Sequence, residues 1–191
     1  MTHALPNIEA DPYKRPAFSP ANRLRRASWQ ALWLLVVRWS PTPLFGWRQR
    51  VFSLMGARLA SPVHIYPCTR VWAPWNLRVD AMATLGRDVE IYNPAPIHVG
   101  HHCIVSQGAY LCGASHDYND ATFPLIAKPI ALGPYSWICA RAIVLPGVKV
   151  GEGAVLAAGS VATKDLNPWT VYGGNPARAL KARTPQPTPE S

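Results

Sequence analysis

Acidic residues are missing from the first part of this chain. Between Pro12 and Val79 there are eleven Lys or Arg and no Asp or Glu. From Asp80 onward the charges are mixed, although the whole chain carries a formal +9. A basic block of this kind suits nucleic acid, an anionic membrane surface or an acidic ligand, or is a solvated face. Long hydrophobic runs are also absent: the longest, Ala31 to Val37, is seven residues, and a spanning helix needs about 20. Cysteine is scarce. Cys68, Cys103, Cys112 and Cys139 form no CxxC pair and no zinc-type spacing with histidine, which points to reduced thiols in a cytoplasmic protein. No secretory leader is expected at the start, because Met1 to Pro12 is polar and contains Glu9 and Asp11. Twenty prolines and thirteen glycines disfavour long helices and favour short straight segments joined by bends.

What the chain does have is a repeat. Stepping in sixes from Leu132 meets Ile138, Val144, Val150, Leu156 and Ala162. Four residues after each of the first five stand Ser136, Ala142, Val148, Ala154 and Ser160, nearly all small. Upstream, Val79, Leu85 and Ile91 and then Val99, Val105 and Leu111 repeat the pattern, with companions Ala83, Val89, Ala95, Cys103, Ala109 and Ser115. The step from Ile91 to Val99 is eight, so one corner carries two extra residues. Residues two apart in a strand share a face, so each six-residue side points one large and one small residue inward. Three sides close a triangular coil, and stacked coils make an apolar prism. Glycine follows the aliphatic residue at Gly86, Gly100, Gly133 and Gly151, as corners of unusual backbone conformation would require. A β-sandwich, the competing fold, would show period-two alternation and irregular loop spacing instead. The expected class is all-β, a parallel β-helix, with residues 59–183 as its domain.

The repeat breaks once, between Cys112 and Pro129, where a long excursion holds Ser115-His116-Asp117-Tyr118. Long insertions in compact domains are usually functional. Residues 1–58 form a separate N-terminal segment. Within it Asn22 to Trp39 reads as a helix, with Asn22 as N-cap and Leu24, Ala27, Ala31, Leu34 and Leu35 near one stripe. Trp29, Trp33 and Trp39 accompany Arg23, Arg25, Arg26 and Arg38. The two readings are a helix packed on the end of the prism and a helix resting at a membrane interface. Thr184 to Ser191 reads as a proline-rich disordered tail.

The stretches Pro129-Ile130-Ala131-Leu132-Gly133, Leu145-Pro146-Gly147-Val148, Val150-Gly151-Glu152-Gly153-Ala154-Val155, Ala158-Gly159-Ser160-Val161 and Gly174-Asn175-Pro176-Ala177 resemble the hexapeptide-repeat acetyltransferases, among them the galactoside and maltose acetyltransferases. Pro74-Trp75-Asn76-Leu77, Ile91-Tyr92-Asn93 and Ser115-His116-Asp117-Tyr118 are similar to the acetyltransferases assigned to bacterial colanic acid biosynthesis. The resemblance covers roughly Phe18 to Arg183 and implies a left-handed β-helix and direct acyl transfer from acetyl-CoA. One departure is Cys139, which stands where the family commonly has glycine after Trp-Ile.

A hydroxyl needs a base to attack a thioester, and histidine, titrating near neutrality, can take that proton and return one to the departing thiolate. The resemblance makes His116 that base and gives Asn93 a part on the acceptor side. An acidic neighbour would orient the imidazole; Asp117 and Asp120 are both candidates. For the coenzyme the resemblance implies Trp137, Ala140, Ala158, Thr163 and Arg178, with Lys164 and Lys181 adding charge for phosphates. It also implies a homotrimer with intersubunit sites and a saccharide acceptor of exopolysaccharide assembly. The expected location is cytoplasmic, with peripheral contact at the inner membrane if the helix is interfacial. Neither metal nor nucleic acid is expected. Gamma-class carbonic anhydrases share the fold and use histidine ligands, but their His-x4-His pair is absent, because Ala121 stands at that distance from His116. A thiol mechanism through Cys112, a non-sugar acceptor and a longer acyl donor are the remaining alternatives.

Overall fold

The computed structural model describes residues 16–184. The expected tail, past Thr184, lies outside the described residues. The first elements are helical. Helix α1 (Pro20–Leu32) runs into a π-helical turn (Trp33–Val37), and α2 (Phe45–Leu54) follows. The N-cap of α1 is Ser19 rather than Asn22: its hydroxyl accepts the Asn22 N–H at 3.2 Å, with Pro20 opening the helix. Proline at that position has no N–H to lose, so the helix begins earlier than the apolar stripe suggests. Helix α2 has no clear apolar stripe in the sequence and was not anticipated.

Fifteen short strands then wind five coils of three. The first coil is β1 (Arg58–Leu59), β2 (His64–Ile65) and β3 (Arg70–Val71); the second is β4 (Leu77–Val79), β5 (Thr84–Leu85) and β6 (Glu90–Tyr92). The third is β7 (Ile97–Val99), β8 (Ile104–Val105) and β9 (Tyr110–Cys112). A hairpin, β10 (Ala114–His116) with β11 (Leu125–Ala127), interrupts the winding. The fourth coil is β12 (Ile130–Leu132), β13 (Trp137–Ile138) and β14 (Ile143–Val144), and the fifth is β15 (Lys149–Val150), β16 (Val155–Leu156) and β17 (Val161–Ala162). The chain finishes with an antiparallel pair, β18 (Thr170–Gly173) and β19 (Arg178–Ala182).

Equivalent strands of successive coils pair in parallel, giving three sheets that are the sides of a left-handed β-helix. Sheet A runs β1-β4-β7-β12-β15, sheet B β2-β5-β8-β13-β16-β18-β19, and sheet C β3-β6-β9-β14-β17. The six-residue aliphatics fall into register as buried columns: Val79, Val99, Leu132 and Val150 on A, Ile65, Leu85, Val105, Ile138 and Leu156 on B, and Val71, Ile91, Leu111, Val144 and Ala162 on C. Each fully buried aliphatic contributes about 1.5–3 kcal/mol. Nearly all the small companions are buried too. Ser115 is the exception, exposed on β10, because the chain has already left the coil there.

Two corner features depart from the sequence reading. Gly86, Gly100, Gly133 and Gly151 are not left-handed. At Gly100 a Cβ would sit 2.7 Å from the Leu132 carbonyl oxygen, and at Gly133 2.7 Å from the Glu152 amide nitrogen, so these glycines permit the close stacking of backbones. The left-handed residues stand instead just before the inward companions, and several are not glycine: Asp88 before Val89, His102 before Cys103, Tyr135 before Ser136 and Arg141 before Ala142.

The helical segment covers the first coil. Strand β3 is the free edge of sheet C, and the indole N–H groups of Trp29 and Trp33 donate to its Val71 and Thr69 carbonyls at 2.7 and 2.8 Å. Phe52 of α2 is fully buried, edge-on to Trp29 at 4.8 Å. Arg48 is fully buried as well. Its guanidinium donates to the carbonyls of Ile65, Pro41 and Thr42 and to the Ser40 hydroxyl. Thus one face of the Trp-rich helix packs on the prism. No helix among the described residues is long and apolar enough to cross a membrane.

Candidate active site

The corner between sheets C and A is longer than the six-residue step in the first three coils. Eight residues separate Val71 from Val79 and Ile91 from Val99, and the third coil inserts the whole hairpin between Leu111 and Leu132. The insertion is an ordered antiparallel ladder in which His116 faces Leu125. Gly113 anchors its base, its N–H donating to the Tyr92 carbonyl of the coil below at 2.7 Å. A side chain at Gly113 would put a Cβ 2.6 Å from that same oxygen.

His116 is exposed at the end of β10. Its Nδ1 lies 2.6 Å from the Phe123 carbonyl oxygen. A carbonyl can only accept, so Nδ1 carries a proton, and in the neutral ring Nε2 keeps its lone pair, the tautomer a general base requires. The orienting partner is therefore a backbone carbonyl and neither carboxylate. Asp117 accepts from the Asn119 N–H at 3.0 Å, and Asp120 from the N–H and hydroxyl of Thr122 at 2.8 and 2.7 Å. The latter bonds hold the Asp120 carboxyl below its ordinary range. The two acids shape the loop that presents Phe123, itself at a positive φ of 46°. Sequence reasoning missed Phe123, since a carbonyl carries no side-chain signature.

Asn93 sits at the same corner one coil below, fully buried. Its side-chain oxygen accepts the Ala73 N–H at 2.9 Å and its amide donates to the Ala73 carbonyl at 2.8 Å. Both functions are spent, so Asn93 clamps two coils together and faces no acceptor. Cys112, at the hairpin's root, donates its thiol to the Ala114 carbonyl at 3.1 Å.

The remaining predicted residues lie elsewhere on the prism. Trp137 stands half-exposed on sheet B, its indole N–H fixed by the Ser106 hydroxyl at 2.8 Å. Ala140 and Ala158 occupy the B–C corner of successive coils, tied by the Gly159 N–H to the Ala140 carbonyl at 3.0 Å. At Gly159 an added Cβ would meet nothing, so this corner is open. Half-buried Cys139 adjoins it, its thiol pushed up by burial. Arg178 and Lys181 project from β19, three strand spacings from Trp137 along sheet B, or about 14 Å. Thr163 and Lys164 lie at the C–A corner, on the edge that bears His116 two coils away. Among the described residues the ion pairs are Arg78–Asp80 and His98–Asp80, so Lys164, Arg178 and Lys181 have no carboxylate partner there. One chain thus places His116 on one edge and most of the other predicted residues on the next edge and face. No group of three or more His, Cys, Asp or Glu that could hold a metal ion occurs among the described residues.

Beside the His116 edge, α1 and sheet C enclose a cleft of about 390 Å³ lined by Trp33, Arg70, Trp72, Glu90 and Tyr92 with Gln30 and Leu34. Tyr92 pairs with Cys112 on the next coil, four residues before His116. Burial raises the Tyr92 phenol, which keeps it a neutral donor.

No family model matches the chain. WcaF of Escherichia coli K12, assigned to colanic acid biosynthesis as an acetyltransferase, is 35% identical over 166 residues, covering 87% of this chain and 91% of that one. The chain belongs to the hexapeptide-repeat acetyltransferases. Among solved structures, the hexapeptide-repeat acetyltransferase VCA0836 of Vibrio cholerae superposes on this acetyltransferase with a TM-score of 0.78 at 25% identity, covering 87% of this chain and 95% of its own. VCA0836 has also been solved with acetyl coenzyme A. A maltose O-acetyltransferase of Clostridium difficile 630 gives the same TM-score at 23% identity, covering 87% of this chain and 90% of its own.

Proposed function

We propose that this acetyltransferase moves the acetyl group of acetyl-CoA to a hydroxyl of a saccharide, with His116 as general base. The observation that carries the reading is the exposed His116 ring held through Nδ1 by a carbonyl, a contact that in the neutral ring selects the tautomer with its lone pair on Nε2. Nε2 accepts the hydroxyl proton as the new C–O bond forms at the thioester carbonyl. The C–S bond then breaks, and the proton passes to the departing thiolate. No acyl-enzyme is needed, and Cys112 has no part in the chemistry.

Trp137 offers the donor a flat wall, the open backbone corner at Ala140 and Ala158 offers amide groups to the pantetheine arm, and Arg178, Lys181 and Lys164 offer charge to the phosphates. Thr163 adds a hydroxyl on the same edge as His116. The donor groups at the B–C corner and the base at the C–A corner are separated by one side of the prism, about 15 Å at the strand rise. A site between two copies brings both edges together, which favours the homotrimer. The acceptor fits the cleft beside α1: Trp33, Trp72 and Tyr92 present ring faces to a sugar, and Glu90, Gln30 and Arg70 present hydrogen-bonding groups to its hydroxyls. WcaF's assignment to colanic acid biosynthesis supports an exopolysaccharide unit as the acceptor class.

The test is a screen of acyl-CoA donors against free, nucleotide-linked and lipid-linked sugars, read by thiol release. Turnover confined to acetyl-CoA with a sugar hydroxyl is the expected result. Turnover only with a longer acyl donor or a non-sugar acceptor would replace this reading.

A further inference from the structure

The helix that seals sheet C has a second face with nothing on it. Positions 22, 26, 29, 33 and 37 turn toward the prism, and Trp29 and Val37 are fully buried. On the opposite side a globular protein ordinarily displays charged residues. Here that side carries Leu24, Ala31 and Leu35, spaced as one stripe by helical periodicity, and Trp39 follows in the turn after Val37. Leu24, Leu35 and Trp39 are 71%, 76% and 71% exposed. Arg23 flanks the stripe, Arg38 packs its guanidinium 4.9 Å from the Trp39 ring, and Arg25 is turned back onto the Trp75 ring at 4.0 Å. The helix and its π-helical turn span eighteen residues, Pro20 to Val37, about 27 Å in length. That is enough to lie along a surface.

We infer that this face docks on an anionic lipid bilayer, with Leu24, Leu35 and Trp39 entering the interfacial layer and the arginines meeting lipid phosphates. Two observations choose a bilayer over a second copy of the chain. Residues 16–79 contain nine arginines and no carboxylate, so self-association through this face would bring like charges together, whereas an anionic surface neutralises them. An apolar stripe followed by tryptophan, with Arg23 and Arg38 beside it, also matches the layered polarity of a lipid interface, apolar below and phosphate above. Leu34, at the rim of the aromatic cleft, is 45% exposed on the same helix. Docking would therefore set the mouth of that cleft near the membrane plane. This surface stands independently of the acyl-transfer reading.

The experiment uses the full chain with vesicles of phosphatidylcholine alone and of phosphatidylcholine with phosphatidylglycerol. The expected result is co-sedimentation with the anionic vesicles only. It should be released between about 0.1 M and about 1 M salt, where the screening length falls from about 10 Å to about 3 Å. The double variant Leu35→Glu/Trp39→Glu should lose at least about tenfold in partitioning while eluting from size exclusion at the wild-type volume, since both side chains are largely solvated already. The milder Leu35→Ala/Trp39→Ala should show the same direction. Failure of the wild type to bind anionic vesicles, or equal binding to both compositions, would overturn the inference. So would an altered oligomeric size in either variant, which would mark the face as a contact between copies.

Discussion

His116 is held by one nitrogen and, in the proposed mechanism, works with the other. The Phe123 carbonyl fixes the proton on Nδ1, so the base is prepared by backbone rather than by a neighbouring acid. Replacing the imidazole should remove the proton transfer and leave positioning intact. His116→Ala is therefore expected to keep the wild-type oligomer and acetyl-CoA affinity while turnover falls by about 10²–10⁴-fold. Cys112→Ala should retain most activity. Steady-state kinetics beside an acetyl-CoA titration checks both, and near-normal turnover in a folded His116→Ala enzyme contradicts the mechanism. Asn93 gives the opposite expectation. Its substitution by alanine strands the N–H and C=O of Ala73 in a buried corner, and each unmade buried bond costs about 1–3 kcal/mol. Asn93→Ala should lose about 2–4 kcal/mol of stability by denaturant unfolding, with KM for the acceptor little changed in the protein that remains folded.

At the scale of elements, the N-terminal helices matter because a stacked prism has an open first coil and free strand edges. Free edges invite pairing with other chains. Here Trp29 and Trp33 satisfy edge carbonyls of sheet C, and α2 covers the end of the prism with Phe52. Arg48 ties the two together. Burial pulls its pKa below the usual guanidinium value, and no acid accompanies it; carbonyls of Ile65, Pro41 and Thr42 and the Ser40 hydroxyl take four of its five donors. Arg48→Ala should destabilise the cap, because it strands the buried carbonyl partners of the guanidinium at about 1–3 kcal/mol for each left unsatisfied. Arg48→Lys should restore little, because a point charge cannot reproduce the planar fork. Thermal unfolding of the two variants, with limited proteolysis between residues 40 and 58, is the check.

For the whole molecule, the decisive feature is that one prism does not assemble the proposed site. His116 stands on the C–A edge, and Ala140, Ala158, Trp137, Arg178 and Lys181 on the B–C edge and sheet B. The protein is accordingly expected to be a homotrimer at micromolar concentration by multi-angle light scattering. A stable monomer that still turns over would remove the intersubunit site.

The fold was legible because a repeat writes a three-dimensional period into one dimension. Ile138, Val144, Val150 and Leu156 are inward by count alone, and the eight-residue step at Ile91–Val99 already marks the corner that later opens into the hairpin. His116 was legible as the histidine in the break, and the resemblance added its role. Other features depend on distances that no spacing encodes. The Phe123 carbonyl that orients His116, the backbone approach that requires Gly100 and Gly133, and the Ala73 clamp that occupies Asn93 each join segments from different turns of the chain or opposite ends of a loop. Helix α2 is seen only through the coil it covers, because its burial depends on Ile65 and not on its own periodicity. Composition and the six-residue period thus determined the prism and the break in it that holds His116. Which polar groups are spent on the scaffold, and which remain free for a substrate, was decided by how the coils stack, since a hydrogen bond depends on where its partner ends up and not on where that partner stands in the sequence.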